Sequence, residues 1–168
     1  MTAYSTAVGP LSSVKKRCIE VSNLDILPSL STVWRSSAGA ALPRADFVSI
    51  HCPKTPETVG MFNAIRLKLM KPAAYLINTA RGGIVDEPAL HDALVSGKLA
   101  GAGLDVFEQE PPPAGHSLFA LPNVIFAPHV AGVTREAVDR MSEQTARNIL
   151  SVLDGDPLRV NVINQDVL

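Results

Sequence analysis

Three polar residues each follow a short apolar run. Arg81 comes after "YLINTA", Glu110 shortly after "GAGLDVF", and His129 after "NVIFAP". A guanidinium presents a planar fork of donors that matches a carboxylate with two parallel hydrogen bonds, so Arg81 suits an anionic substrate. An imidazole gives or takes a proton near neutral pH, which is the natural work of His129. A carboxylate beside it, Glu110, would hold the ring and favour its charged form. Gly82 and Gly83 lack a Cβ, so backbone and ligand can approach closely there. A grip for a 2-oxo acid and a proton for its carbonyl leave one requirement, a hydride, and that is the chemistry of a nicotinamide cofactor.

Each of these residues also has a plainer reading. An arginine at a strand end often serves only a surface ion pair. A histidine in "APHVAG" can be a hydrogen-bonded structural residue, and Glu110 before three prolines a solvated loop charge. The side chains of His51 and Cys52 are expected in the core or in backbone contacts, and His91 and His116 at the surface. Asp105, an acid ending the run "GAGLD", needs a partner or a ligand. No residues are assigned to a metal.

The elements that must position the three residues are legible from residue 45 onward. "ADFVSIH", "AAYLINTA", "LAGAGLDVF" and "NVIFAP" read as strands, bounded by turn signals or proline. "FNAIRLKLMKP" reads as a short helix capped by Asn63 and closed by Pro72. Asp86 can cap "EPALHDALVSG", with Pro88 in the first turn and Gly97 as the stop. Thr134 starts a long helix with an apolar stripe of Val138, Met141, Ala146, Ile149 and Leu153, ended by "DGDP". Strand–helix alternation with near-continuous apolar strands predicts an α/β fold of about four strands. It would be an incomplete doubly wound, Rossmann-like parallel sheet with helices on both faces. In such a sheet ligands bind beyond the carboxyl ends of the strands, so the cation, carboxylate and imidazole are expected along one crevice.

The chain divides by character into 1–44, poorly patterned; 45–155, carrying the sheet and the chemistry; and 156–168, a closing return segment. Residues 1–44 carry eight serines and a net charge of +3, against −4 for the rest. At 168 residues and a net charge of −1 with both signs interspersed, nothing points to nucleic acid or an anionic membrane. Two cysteines, Cys18 and Cys52, make no disulfide framework, and no signal peptide or membrane span is read; the expectation is a cytoplasmic protein.

Taken together, "ADFVSIHCPKTPET", "LINTARGGIVDEPAL", "GAGLDVFEQEP" and "FAPHVAG" in this order resemble the D-isomer-specific 2-hydroxyacid dehydrogenases. The likeness covers roughly residues 45 to 165 and is greatest to the glyoxylate/hydroxypyruvate reductase and phosphoglycerate dehydrogenase branches. The resemblance implies catalytic roles for Arg81, Glu110 and His129, NAD or NADP as cofactor, and a small 2-oxo or 2-hydroxy acid as substrate. It also implies cofactor contacts at Cys52, Pro53 and Thr58, at Thr79, Ala80 and Arg81, at Asp105, and at His129, Ala131 and Gly132.

The likeness stops short at the amino-terminal end. Residues 1–44 hold only Gly9 and Gly39, with no G-x-G-x-x-G loop to cradle a pyrophosphate. The substrate domain and main dimer contacts of the family have no counterpart, and "KPAAY" and "HVAG" carry alanine where glycine is common. The expectation is a carboxyl-terminal portion, or a reading frame disrupted before residue 45. A sheet without its first strands would bare an edge, so a homodimer or pairing with another chain is expected. Beside the dehydrogenase reading stand a non-catalytic nucleotide-binding or assembly fragment that needs another chain, and an inert product.

Overall fold

The structure, a computed structural model, describes the backbone of residues 18–22 and residues 41–167. The predictions for the remaining residues of 1–44 lie outside the described residues. Among the described residues five strands form one parallel sheet in sequential order: β1 (Cys18–Ser22), β2 (Phe47–His51), β3 (Tyr75–Asn78), β4 (Gly101–Leu104) and β5 (Val124–Phe126). The fold is Rossmann-like, as expected. The four strands read from the sequence are β2 to β5, and β1 is an addition from the stretch that had seemed to hold no element. "CIEVS" alternates β-branched and polar residues, but five residues are too few to stand out as a period. Its backbone pairs with β2 over five residues, Cys18 opposite Phe47 to Ser22 opposite His51. β1 thus covers the edge of β2 and is itself the end strand of the sheet among the described residues.

Between the strands, α1 (Ala64–Leu69) and α2 (Glu87–Val95) pack against each other. Both start where the sequence says. Asn63 Oδ1 accepts from the amides of Ile65 and Arg66 at 3.1 and 3.2 Å, and Asp86 Oδ1 accepts from Ala89 at 2.9 Å. These caps satisfy amides that the first helical turn leaves without partners. Gly97, at φ 70°, ends α2 in the left-handed region.

Val48, Ile50 and Leu76 point into a core with Phe62, Leu67 and Leu90, all at most 1 % exposed. Each such side chain contributes about 1.5–3 kcal/mol relative to exposure. On the other face Phe47 stacks on Tyr75 with centroids 5.4 Å apart, yet Tyr75 remains 42 % exposed. Among the described residues burial thus alternates along β2 and β3.

The chain falls into two compact units, one ending at His129 and one running from Val130. The second contains α3 (Arg135–Leu153), capped by Thr134 Oγ1 accepting from Ala137 at 3.1 Å and ended by Asp154 before Gly155 at φ 75°. The predicted stripe runs along it, but no residue of α3 is buried. No helix among the described residues is long and apolar enough to cross a membrane.

Candidate functional site

The segment after β3 shapes the first part of the site. Asn78, the last residue of β3, is 2 % exposed, and both ends of its amide are used. Its Nδ2 donates to the Arg81 carbonyl at 3.0 Å and its Oδ1 accepts from the Ala80 amide at 3.1 Å. The turn that presents Arg81 is thereby fixed from below. The Arg81 side chain is exposed; its Nη1 donates to the Ala80 carbonyl at 2.7 Å, and it forms no ion pair among the described residues. An exposed guanidinium held back on its own turn is open to a ligand carboxylate.

The glycines after Arg81 allow a close approach, as expected, and at Gly82 the group that approaches is backbone. A Cβ on Gly82 would lie 1.6 Å from the Phe107 carbonyl oxygen, so the second loop's backbone, not a ligand, occupies that space. Gly83 has φ 79°, and a Cβ there would meet Lys54 Nζ at 2.8 Å. The Arg81 loop and the loop after β4 are thus in direct backbone contact.

That second loop carries the acid. Glu110 Oε1 accepts from the Phe107 amide at 3.0 Å, and Glu110 Oε2 meets His129 Nδ1 at 2.8 Å. The bond from His129, then the Phe107 amide, hold the Glu110 carboxyl below the usual glutamate range; desolvation and nearby Asp105 oppose them. His129, three residues past β5, has φ 57°. That left-handed conformation is uncommon for a residue with a side chain, though histidine is among the types that tolerate it. The chain turns sharply at the residue whose ring must face Glu110.

Among the described residues, cavities open at the carboxyl ends of the strands. One, about 410 Å³, is lined by Asp105, Glu110 and His129 together with Phe107, Phe119 and Phe126. Another, about 440 Å³, is lined by His51, Cys52, Pro53, Lys54, Thr79, Ala80 and Arg81. The structure therefore brings Glu110, His129 and the buried Asp105 together, and places Arg81 with four of the residues assigned to the cofactor. Thr58 is buried and lines neither; its hydroxyl donates to the Pro53 carbonyl at 2.8 Å and accepts from the Thr55 amide at 2.7 Å, closing the loop that presents Pro53. Ala131 and Gly132 belong to the second unit.

Two histidines differ from expectation. His51 is exposed at the end of β2, bonded to Ser49 Oγ at 2.7 Å, because it falls on the open side of the pleat beside fully buried Ile50. His116 is the reverse: its side chain is only 15 % exposed and lies 3.0 Å from Glu87 Oε2. Asn78, Glu87, His116 and Lys54 all shape the site, and sequence reasoning did not single them out. Asn78 offered a signal, since asparagine is depleted in strands and a buried one needs a reason.

Residues 29–131 match the model of the D-isomer specific 2-hydroxyacid dehydrogenase, NAD binding domain. The chain belongs to this family. It is 52 % identical over 127 residues to a glyoxylate reductase of Thermofilum pendens, covering 76 % of this chain and 37 % of that protein. With a D-3-phosphoglycerate dehydrogenase of Archaeoglobus fulgidus it shares 38 % identity, over 90 % of this chain and 30 % of that protein. Among solved structures, a D-isomer specific 2-hydroxyacid dehydrogenase of Xanthobacter autotrophicus Py2 in complex with NADPH and MES superposes with a TM-score of 0.63. It is 39 % identical, with 79 % of this chain and 53 % of that one covered. The NAD-complexed member from Lactobacillus delbrueckii gives a TM-score of 0.66 at 30 % identity, covering 83 % and 47 %. The chain thus spans about a third of the length of these dehydrogenase relatives, and about half of the two solved chains.

Proposed function

We propose that this chain carries the acid–base part of an NAD- or NADP-dependent dehydrogenase acting on a small 2-oxo or 2-hydroxy acid of the glyoxylate or hydroxypyruvate kind. The 2.8 Å bond between Glu110 Oε2 and His129 Nδ1, at the mouth of a cavity at the strand ends, carries this reading. With Nδ1 engaged by the carboxylate, Nε2 is the ring atom left to give a proton to a substrate carbonyl, or to take one from a hydroxyl in the reverse direction. Glu110, held ionised, steadies the charged ring. Arg81 takes the substrate carboxylate with its fork.

The lining at Cys52, Pro53, Thr79 and Ala80 is short-chained, which fits a dinucleotide lying across the strand ends, and Thr58 serves by fixing Pro53. Asp105, buried beside the acid–base pair, fits a hydrogen-bonding partner for a carboxamide. The bound cofactor supplies the hydride. Ala131 and Gly132 complete the proposed contacts. A cytoplasmic setting belongs to the same proposal, and cell fractionation tests it.

Titration of the purified chain with NADH and NADPH, followed by cofactor fluorescence and then addition of glyoxylate or hydroxypyruvate, tests the function. Saturable binding with acid-dependent oxidation is the expected result, and absence of binding would sink it. A second reading, a nucleotide-binding module that assembles with another copy, is favoured by the exposed apolar residues of α3, among them Met141, Ile149 and Leu153. Binding without turnover, in a dimer, would be its signature.

A further inference from the structure

Glu87 is the first residue of α2, directly after the cap that follows the Arg81 turn. Its two carboxylate oxygens reach across to the other loop at two points. Oε1 accepts from the Glu108 amide at 2.7 Å, and Oε2 meets His116 Nε2 at 3.0 Å. These points stand on either side of Glu110 in the chain. The His116 Nδ1 accepts from the Leu118 amide at 3.4 Å, which places the ring proton on Nε2 and directs it at Glu87. The ring also packs edge-on against Phe107 at 5.4 Å, and both side chains of the pair are mostly buried, at 15 % and 12 % exposed.

The consecutive amides of Phe107 and Glu108 are therefore divided between two carboxylates, Glu110 and Glu87. The two N–H groups belong to successive peptide units that meet at Phe107, so a shift of the backbone there would disturb both bonds. We infer that Glu87 is a positioning residue for the acid–base pair, fixing through Glu108 and His116 the loop that aims Glu110 at His129. Because Glu87 also begins the helix that follows Arg81, one side chain ties the anion-gripping turn to the proton-handling loop. The inference rests on reading Glu110 and His129 as that pair.

The test reads the Glu110 side-chain carboxyl titration by carbon NMR in the ligand-free chain, so it does not depend on whether the chain turns over any substrate. The groups facing Glu110 are His129, the Phe107 amide and Asp105. Glu87→Ala is expected to move the Glu110 titration up toward that of an ordinary glutamate. Removing a negative charge alone would move it down, so the sign separates lost position from lost charge. Glu87→Gln keeps an acceptor for the Glu108 amide and is expected to restore most of the wild-type titration. A folded Glu87→Ala variant with unchanged or lowered Glu110 titration would overturn the inference, as would a Gln variant no better than Ala. Should Glu87→Ala fail to fold, His116→Phe keeps the ring packing and cuts one tie. A smaller upward shift then supports the inference, and an unchanged titration refutes it.

Discussion

At the scale of single residues, the arrangement makes Arg81 and Glu110 separable by experiment. Arg81 has no carboxylate partner among the described residues, so its fork is available to a ligand. Arg81→Lys leaves the charge and removes the two-pronged geometry, which corresponds to losing about 1.5–3 kcal/mol of charge-assisted bonding, or roughly 10–150-fold in rate. Steady-state kinetics with a cofactor titration alongside should show that loss in turnover of the 2-oxo acid and little change in cofactor affinity. Equal losses in both would contradict the assignment.

Glu110 makes a prediction in pH. Its carboxyl is held below the usual glutamate range by the His129 bond and the Phe107 amide, so it sheds its proton more readily folded than unfolded. The stability this contributes is fully present above the unfolded glutamate value and is lost as pH falls through the lower, folded value. Denaturation across the acid range should show that loss in the wild type and a reduced pH slope in Glu110→Gln.

At the scale of elements, two loops and the ends of three strands are held by backbone contacts that a side-chain inventory does not display. Gly82 is the clearest case. Adding one methyl group puts a carbon 1.6 Å from the Phe107 carbonyl, and backbone has no rotamer by which to yield. Overpacking of this kind costs about 1–3 kcal/mol, and Gly82→Ala should lower the denaturation midpoint and spread the Arg81 and Glu110 loops apart. Nuclear Overhauser contacts between residues 82 and 107 would report the separation. Asn78→Leu tests the support beneath Arg81. It leaves the part-buried Ala80 amide and Arg81 carbonyl without their partner, each at less than the about 1–3 kcal/mol of a fully buried group. The expected result is a mobile Arg81 turn, seen as faster amide exchange at residues 79–82.

At the scale of the whole molecule, the sheet has five strands among the described residues because β1 pairs with β2. A chain starting at residue 41 would lose β1 and move the open edge of the sheet onto β2, unpairing the residues Phe47 to His51 and leaving them as a template for other chains. Size-exclusion chromatography with light scattering should find that shortened form aggregated, against a discrete species for the full chain. A discrete shortened species would show that β1 is dispensable.

The sequence was sufficient for most elements of the fold and for singling out the groups proposed to react. Helix starts at Asn63, Asp86 and Thr134 follow from local capping chemistry, and local chemistry is written in adjacent residues. The apolar runs of β2 to β5 are legible for the same reason. Arg81, Glu110 and His129 stood out because each ended such a run. What tertiary structure alone decided are the relations between segments distant in the chain: β1 on the edge of β2, Gly82 against Phe107, and Glu87 reaching Glu108 and His116 some 21 and 29 residues away. Those contacts are hydrogen bonds and steric fits between loops whose own composition has no period, so only the folded path of the backbone brings the partners together.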